Sequence, residues 1–307
     1  MQPWPVTVAL RTAGMLGAVS LLAFLVLHAM PGDPVMITLI ADNVPVTPAT
    51  VAALKHRWGL DRPLVAQHAA WLGRFTAGDW GLSFRTARPI REELLGRLPT
   101  SLMLGLGGLA LALGGGVILG FLAARRPRGA ADVAGRLLSI GAQAIPAFWL
   151  GLLLIWLLAA ELRLLRPFTG GRFERLVLPT LIVALYHTGS FARVVRYALL
   201  QAEAAPFFLT AQAKGLSRNA ALLQHGARLA LLAVLAAVPA ELAWAIGGTA
   251  VVEVVFAVDG ISRFLVESIA VRDYFVLQAY IVVTAVWMLG VHLLASLLRH
   301  RLDPRLP

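Results

Sequence analysis

Charge-free apolar runs dominate the pattern of this chain. Four of them, residues 12–30, 101–124, 137–160 and 275–298, reach or nearly reach the length needed to cross a bilayer. That length is roughly 20 apolar residues at a 1.5 Å rise each. A fifth run, 176–192, is shorter and ends at Arg193, whose aliphatic stem can carry its charge to the interface. A sixth, about 229–257, is long enough but contains Glu241 and Glu253. The pattern predicts an all-α integral membrane protein with six transmembrane helices. Arg11 ahead of the first run resembles the start of a secretory signal, but the run is long and no small-x-small cleavage site follows. It is read as an uncleaved first span.

Two stretches between the runs are polar enough to leave the bilayer. Residues 31–98 form an insert between the first and second spans. Within it Thr47-Pro48 precedes an amphipathic helix over 49–58, Gly59–Pro63 breaks it, 64–75 reads as a second helix, and Gly78-Asp79-Trp80-Gly81 is a turn. Trp58, Trp71 and Trp80 give this insert aromatic weight, with at least two of them expected to form a small core of its own. The second stretch, about 197–228, lies between the fourth and fifth spans. Its Ala-rich run suits a short helix, Gly215 suits that helix's end, and Ser217 can cap the next one. Two short helices, at about 200–222, would make a knob suited to docking rather than chemistry. The division expected is 1–30 for the N-terminus and first span, 31–98 for the insert, and 99–307 for a five-helix core.

Composition sharpens this picture. Apolar residues make up 59% of the 307 and charged residues 14%, well below the quarter usual in soluble domains. The absence of cysteine excludes disulfides, thiolate metal sites and a cysteine nucleophile. A net charge of +11 could suggest nucleic acid, but in so apolar a chain it belongs to the loops that orient the spans. With the N-terminus inside, cytoplasmic segments carry thirteen basic residues against six in the short external loops. Both termini are therefore expected in the cytoplasm and the insert outside.

Enzymatic signatures are missing. There is no G-x-x-x-x-G-K-[ST] loop, no H-E-x-x-H and no G-x-S-x-G. The glycines at 105, 107, 108 and 114–116 sit inside an apolar span, and Gly116 with Gly120 makes a small-xxx-small step for close helix packing. Most histidines fall in loops or near span ends. His187 and Glu241 fall near the middle of the fourth and fifth runs, where a charge costs about 2.5–3.5 kcal/mol. They are candidates for lining a translocation path; the simpler role is a structural pair between helices. His187 and Ser190, three apart, are also the only hint of an intramembrane hydrolase, which with a receptor is the competing class.

Ordered motifs along nearly the whole chain resemble the dipeptide/oligopeptide/nickel family of ABC importer permeases, in its first-subunit form. Thr210-Ala-Gln-Ala-Lys-Gly-Leu-Ser217 resembles the family's coupling motif. Met30-Pro-Gly-Asp-Pro34, Gly59-Leu-Asp-Arg-Pro-Leu64, Gly78-Asp-Trp-Gly-Leu-Ser83 and Arg97-Leu-Pro-Thr-Ser101 match the segments around the insert. Ile145-Pro-Ala-Phe-Trp149, Gly247-Gly-Thr249, Arg272-Asp-Tyr274 and Leu302-Asp-Pro-Arg305 follow in order. The chain departs from the family at Gln212 and Gln224, where basic residues are usual, and at Asp259-Gly260, where the family has Pro-Gly. The resemblance implies coupling to ATPases through Thr210, Ala211, Ala213, Lys214, Gly215 and Leu216. It implies a second permease subunit, two ATP-binding subunits that hold ATP and Mg, an external solute-binding protein, and no cofactor on this chain. For the substrate, the residues from Asn43 to Asp61 and the Arg88-Pro89 step look slightly more nickel-type than peptide-type.

Overall fold

A computed structural model describes residues 4–302. Among the described residues there is no strand, only an isolated antiparallel bridge between Leu82 and Pro89. The helices are α1 (Trp4–Ala29), α2 (Pro34–Ala41), α3 (Pro48–Trp58), α4 (Leu64–Thr76), α5 (Ile90–Arg125), α6 (Ala130–Ala144) and α7 (Ala147–Leu154), which continues as a π segment over Ile155–Glu161. After these come α8 (Arg172–Glu203), α9 (Pro206–Ala213), α10 (Arg218–Ala221) with a π segment over Leu222–Gly226, α11 (Ala227–Ala243), α12 (Ala250–Val255), α13 (Ile261–Ala270) and α14 (Tyr274–Leu302).

Among the described residues, five helices are long and apolar enough to cross a membrane, and a sixth span is present if one bent pair is counted as one. Two of the expected spans are not continuous. The run at 137–160 breaks between α6 and α7 with a bend of 109°. Pro146 has no N–H to continue α6, and it holds Ile145 in extended backbone at φ −95°, ψ 122°. The run at 229–257 likewise stops at Ala243. The chain turns through Gly247, at φ +93°, before α12 begins. Hydropathy passes through both breaks because their residues are as apolar as the helices around them. The second span, by contrast, starts earlier than expected, at Ile90, and carries Pro99 inside the helix.

The chain divides into two compact units, 1–99 with 259–290 and 100–258 with 291–307. In the first, Thr47 caps α3 through a capping box with Thr50, and Gly59 ends it in the left-handed region at φ +69°. Helix α2 was not expected from the sequence; Asp33 caps it by accepting from the Val35 N–H at 2.9 Å, with Pro34 in the first turn. The aromatic core is present. Trp58 stacks on Phe84 at 3.7 Å, while Trp71 and Trp80 both stack on Phe75. A fully buried carboxylate joins distant segments: Asp273 accepts from Ser83 Oγ at 2.6 Å and from the Phe84 N–H at 2.7 Å. Burial pushes this carboxyl above its ordinary range, against the pull of those donors.

In the second unit α8 packs along both α6 and α11. Glycines let α5 approach α8 closely. A methyl added at Gly116 would lie 2.5 Å from Phe191 Cβ, and one at Gly120 would lie 2.6 Å from the Ala192 carbonyl oxygen. The step expected from the sequence is therefore a true packing seam, and it continues at Gly108 against Val183. Large apolar side chains such as Leu22, Ile118, Ile140 and Leu294 are more than 60% exposed, as lipid-facing positions would be.

Candidate functional site

The segment after α8 is built by local rules. Pro206 occupies the first turn of α9, where its missing N–H costs nothing. One face of α9 is buried: Phe208 and Ala211 pack with Leu199, Ala221 and Leu222. The opposite face, with Leu209, Thr210, Gln212 and Ala213, is open, and Leu209 is 67% exposed.

Helix α9 ends in a Schellman motif. The Gly215 N–H donates to the Gln212 carbonyl at 2.9 Å and the Leu216 N–H to the Ala211 carbonyl at 3.2 Å. Gly215 takes φ +91°, and a methyl placed on it would meet nothing within 4 Å. Its requirement is thus conformational, not a matter of space. Leu216 turns back onto the core that holds Phe208 and Ala211. Ser217 then caps α10 by accepting from the Ala220 N–H at 3.3 Å.

So Thr210, Ala213, Lys214 and Gly215 are presented outward, while Ala211 and Leu216 anchor the segment inward. An arginine that sequence reasoning did not single out fastens this arrangement. Arg218 forks onto Glu203 with Nε to Oε1 at 2.5 Å and Nη2 to Oε2 at 2.7 Å. The same guanidinium donates to the Ala124 and Arg125 carbonyls, at 3.0 and 2.7 Å, which close the end of α5. One side chain therefore ties the end of α8, the end of α5 and the start of α10 together. The only signal in the sequence is a Glu and an Arg flanking a short helix, a pattern too common to be informative.

Nearby, buried Asp132 does similar work in α6. It accepts from the Arg128 N–H at 2.8 Å and pairs with Arg196 of α8 at 2.7 Å and Arg136 at 3.2 Å.

The second candidate group lies within the spans. His187 sits at the middle of α8 and donates Nδ1–H to Glu241 Oε2 at 2.6 Å. Ser190 Oγ donates to the other carboxylate oxygen at 2.9 Å. Glu241 is not at mid-helix as expected. It occupies the last turn of α11, because that helix stops at Ala243. A carboxylate there faces the unfavourable end of the helix dipole, so the two donors from α8 supply what its own helix does not. Both side chains are mostly buried and line a cavity of about 110 Å³ with Tyr186, Trp244 and Gly248.

Because Ser190 and His187 each bond to Glu241, the geometry holds no serine–histidine nucleophile pair of the kind a hydrolase needs. A second carboxylate, Glu253, is fully buried and accepts from Ser101 Oγ and Thr249 Oγ1, each at 2.8 Å. Among the described residues, no group of three or more metal-ligating side chains comes together.

Comparison with known proteins agrees with this architecture. The model of the family described as binding-protein-dependent transport system inner membrane component matches residues 116–306. The model of the N-terminal region of such membrane components matches residues 6–105. The oligopeptide transport system permease protein AppB of Bacillus subtilis is 33% identical over 97% of this chain and 96% of its own. The dipeptide transport system permease protein DppB of Lactococcus lactis is 31% identical over 92% of each chain. The glutathione transport system permease protein GsiC of Escherichia coli is 32% identical over 93% of this chain and 92% of its own. The chain therefore belongs to the binding-protein-dependent transport system inner membrane component family, as a peptide-type ABC permease subunit.

Proposed function

We propose that this subunit pairs with a second permease to form the path by which peptides cross the inner membrane. Two ATPase subunits, which hold ATP and Mg, dock on the outward face of α9 and the Gly215 turn. The observation that carries this reading is the α9–Gly215–α10 segment. It exposes Leu209, Thr210, Ala213 and Lys214 while Phe208, Ala211, Leu216 and Arg218 fix it rigidly to α5 and α8. A rigid, partly apolar knob transmits a push; a flexible loop would absorb it.

Peptides are favoured over the nickel or metal chelate suggested by the residues from Asn43 to Asp61, because the similar transport proteins carry oligopeptide, dipeptide and glutathione names. An external binding protein delivers the substrate to the side of the insert. His187 and Glu241 line the path in the membrane and offer a cation-accepting carboxylate to a peptide in transit. Both termini lie in the cytoplasm.

The chain lacks cysteine, so single cysteines report cleanly. A cysteine at Lys214 should crosslink to a co-expressed ATPase subunit, and one at Asp79 should be labelled from outside intact cells. A cysteine at Ser217 should be labelled only after permeabilisation. External labelling at Ser217, or an ATPase that co-purifies without contacting Lys214, would overturn the reading.

A further inference from the structure

In the first unit the ends of α1 and α4, the turn between α3 and α4, and the start of α14 enclose a cavity of about 260 Å³. Its lining has an unusual one-sided chemistry. Arg57, Arg62 and Arg74 line it, and no carboxylate does. None of the three forms an ion pair among the described residues, and Arg74 instead lies over the Phe275 ring at 5.8 Å.

Two further lining residues are almost completely buried with unused donors. Trp71 is 3% exposed and its Nε1–H has no partner, and Gln278 is 2% exposed with its side-chain amide nitrogen unpartnered. An indole nitrogen can only donate, and a buried donor without an acceptor is destabilising, so most such groups in folded proteins are satisfied. His28 adds no free acceptor. Its Nδ1 faces the Phe24 carbonyl at 2.9 Å and its Nε2 faces Gln67 Oε1 at 3.2 Å. The Gln67 amide nitrogen is already committed to the Leu60 and Arg62 carbonyls.

The cavity thus offers guanidinium and N–H donors beside aromatic faces, a set that fits an oxyanion attached to apolar chains. Its position narrows the source. The C-terminal end of α1 and the N-terminal end of α14 are both ends of apolar spans, so the cavity lies at a bilayer surface, where lipid phosphates are concentrated. We propose that this cavity is a phosphate site, filled by the headgroup of an anionic phospholipid from the leaflet at that surface.

The test uses the full chain in neutral detergent and calorimetric titration with three probes: dihexanoyl-phosphatidylglycerol, dihexanoyl-phosphatidylcholine and inorganic phosphate. Saturable binding of the phosphatidylglycerol is expected, with none for the zwitterionic lipid of equal chain length. Arg57→Gln combined with Arg74→Gln should weaken it about tenfold or more, and Gln278→Leu should also weaken it. Arg126→Gln, a cation outside the cavity, should leave it unchanged. Because Arg57 and Arg74 are exposed, their replacement tests the site even if the buried Gln278 variant fails to fold. Equal binding of the two lipids, or wild-type affinity in the double arginine variant, would overturn the proposal. Inorganic phosphate binding as tightly as the anionic lipid would overturn the lipid assignment and identify a soluble anion as the ligand.

Discussion

Arg218 makes the sharpest prediction. Replacing it with Gln removes the fork onto Glu203 and both hydrogen bonds to the end of α5. The two charged side chains are about a third exposed, at 32% and 31%, so their pair counts for about 1 kcal/mol after solvent screening. The two carbonyl contacts add about 0.5 kcal/mol each, the low end for hydrogen bonds, because helix-end carbonyls can turn to water. The total of about 2 kcal/mol corresponds to roughly a 30-fold rise in the population whose α9–α10 segment has come away from α5.

Hydrogen exchange on the purified full chain reads that population directly. The Gly215, Leu216 and Ala220 amides are held by bonds that depend on the segment staying folded back. Their exchange should accelerate by roughly 30-fold, while amides at the centre of α8 should not change. Arg218→Lys, which keeps the charge but not the fork, should fall between the two. Acceleration below about threefold in Arg218→Gln would refute the reasoning, and so would equal acceleration along α8.

Three further outcomes follow from other sites. Gly215→Val forces a β-branched residue to φ +91° at a strain of roughly 1–2 kcal/mol, so uptake and substrate-stimulated ATP hydrolysis should fall together in membrane vesicles. Gly215→Asn should retain most of both, and equal loss in the two variants would mean that backbone conformation is not the cause. Glu241→Gln keeps the shape and removes the charge, so transport should fall while membrane insertion and co-purification stay normal. Poor assembly would instead assign the His187–Glu241 pair a structural role, and wild-type uptake with normal assembly would exclude both roles. Gly120→Leu should destabilise the second unit by about 1–3 kcal/mol through overpacking against Ala192 and Val195, seen as a lower melting temperature in detergent. An unchanged melting temperature would deny the close α5–α8 seam.

Features set by neighbouring residues were readable from the sequence. Thr47 and Ser217 as caps, Gly59 and Gly215 as helix ends, and Gly116 with Gly120 as a packing step each depend on a few adjacent positions. The breaks at Ile145-Pro146 and after Ala243 were hidden because apolarity carries no record of direction. Pro146 marks the first of these breaks, but it lies inside a charge-free run long enough to span by itself. Helix α2 was missed because eight residues give too little periodicity. The Arg218–Glu203 fork, the Asp273 hub and the Asp132 cluster were unreadable for another reason: each joins groups that only the folded chain brings together. The pairing of His187 with Glu241 lies between these cases. Their similar depth could be read from the runs, but the facing of α8 and α11 could not.

The order in which the chain is made gives the buried carboxylates a further meaning. The ribosome releases the polypeptide from its N-terminus, so segments enter the bilayer in sequence. His187 and Ser190 precede Glu241 by 54 and 51 residues, and Ser101 precedes Glu253 by 152. In both cases the donors are synthesised first and the acid second. A newborn acidic helix therefore meets a waiting donor, and its carboxylate is not left unpaired in the membrane, where a charge is costly. Exchanging the two sides of the His187–Glu241 pair would preserve the finished contact while reversing that order. The cost would then fall on insertion, before any mature protein exists to be measured.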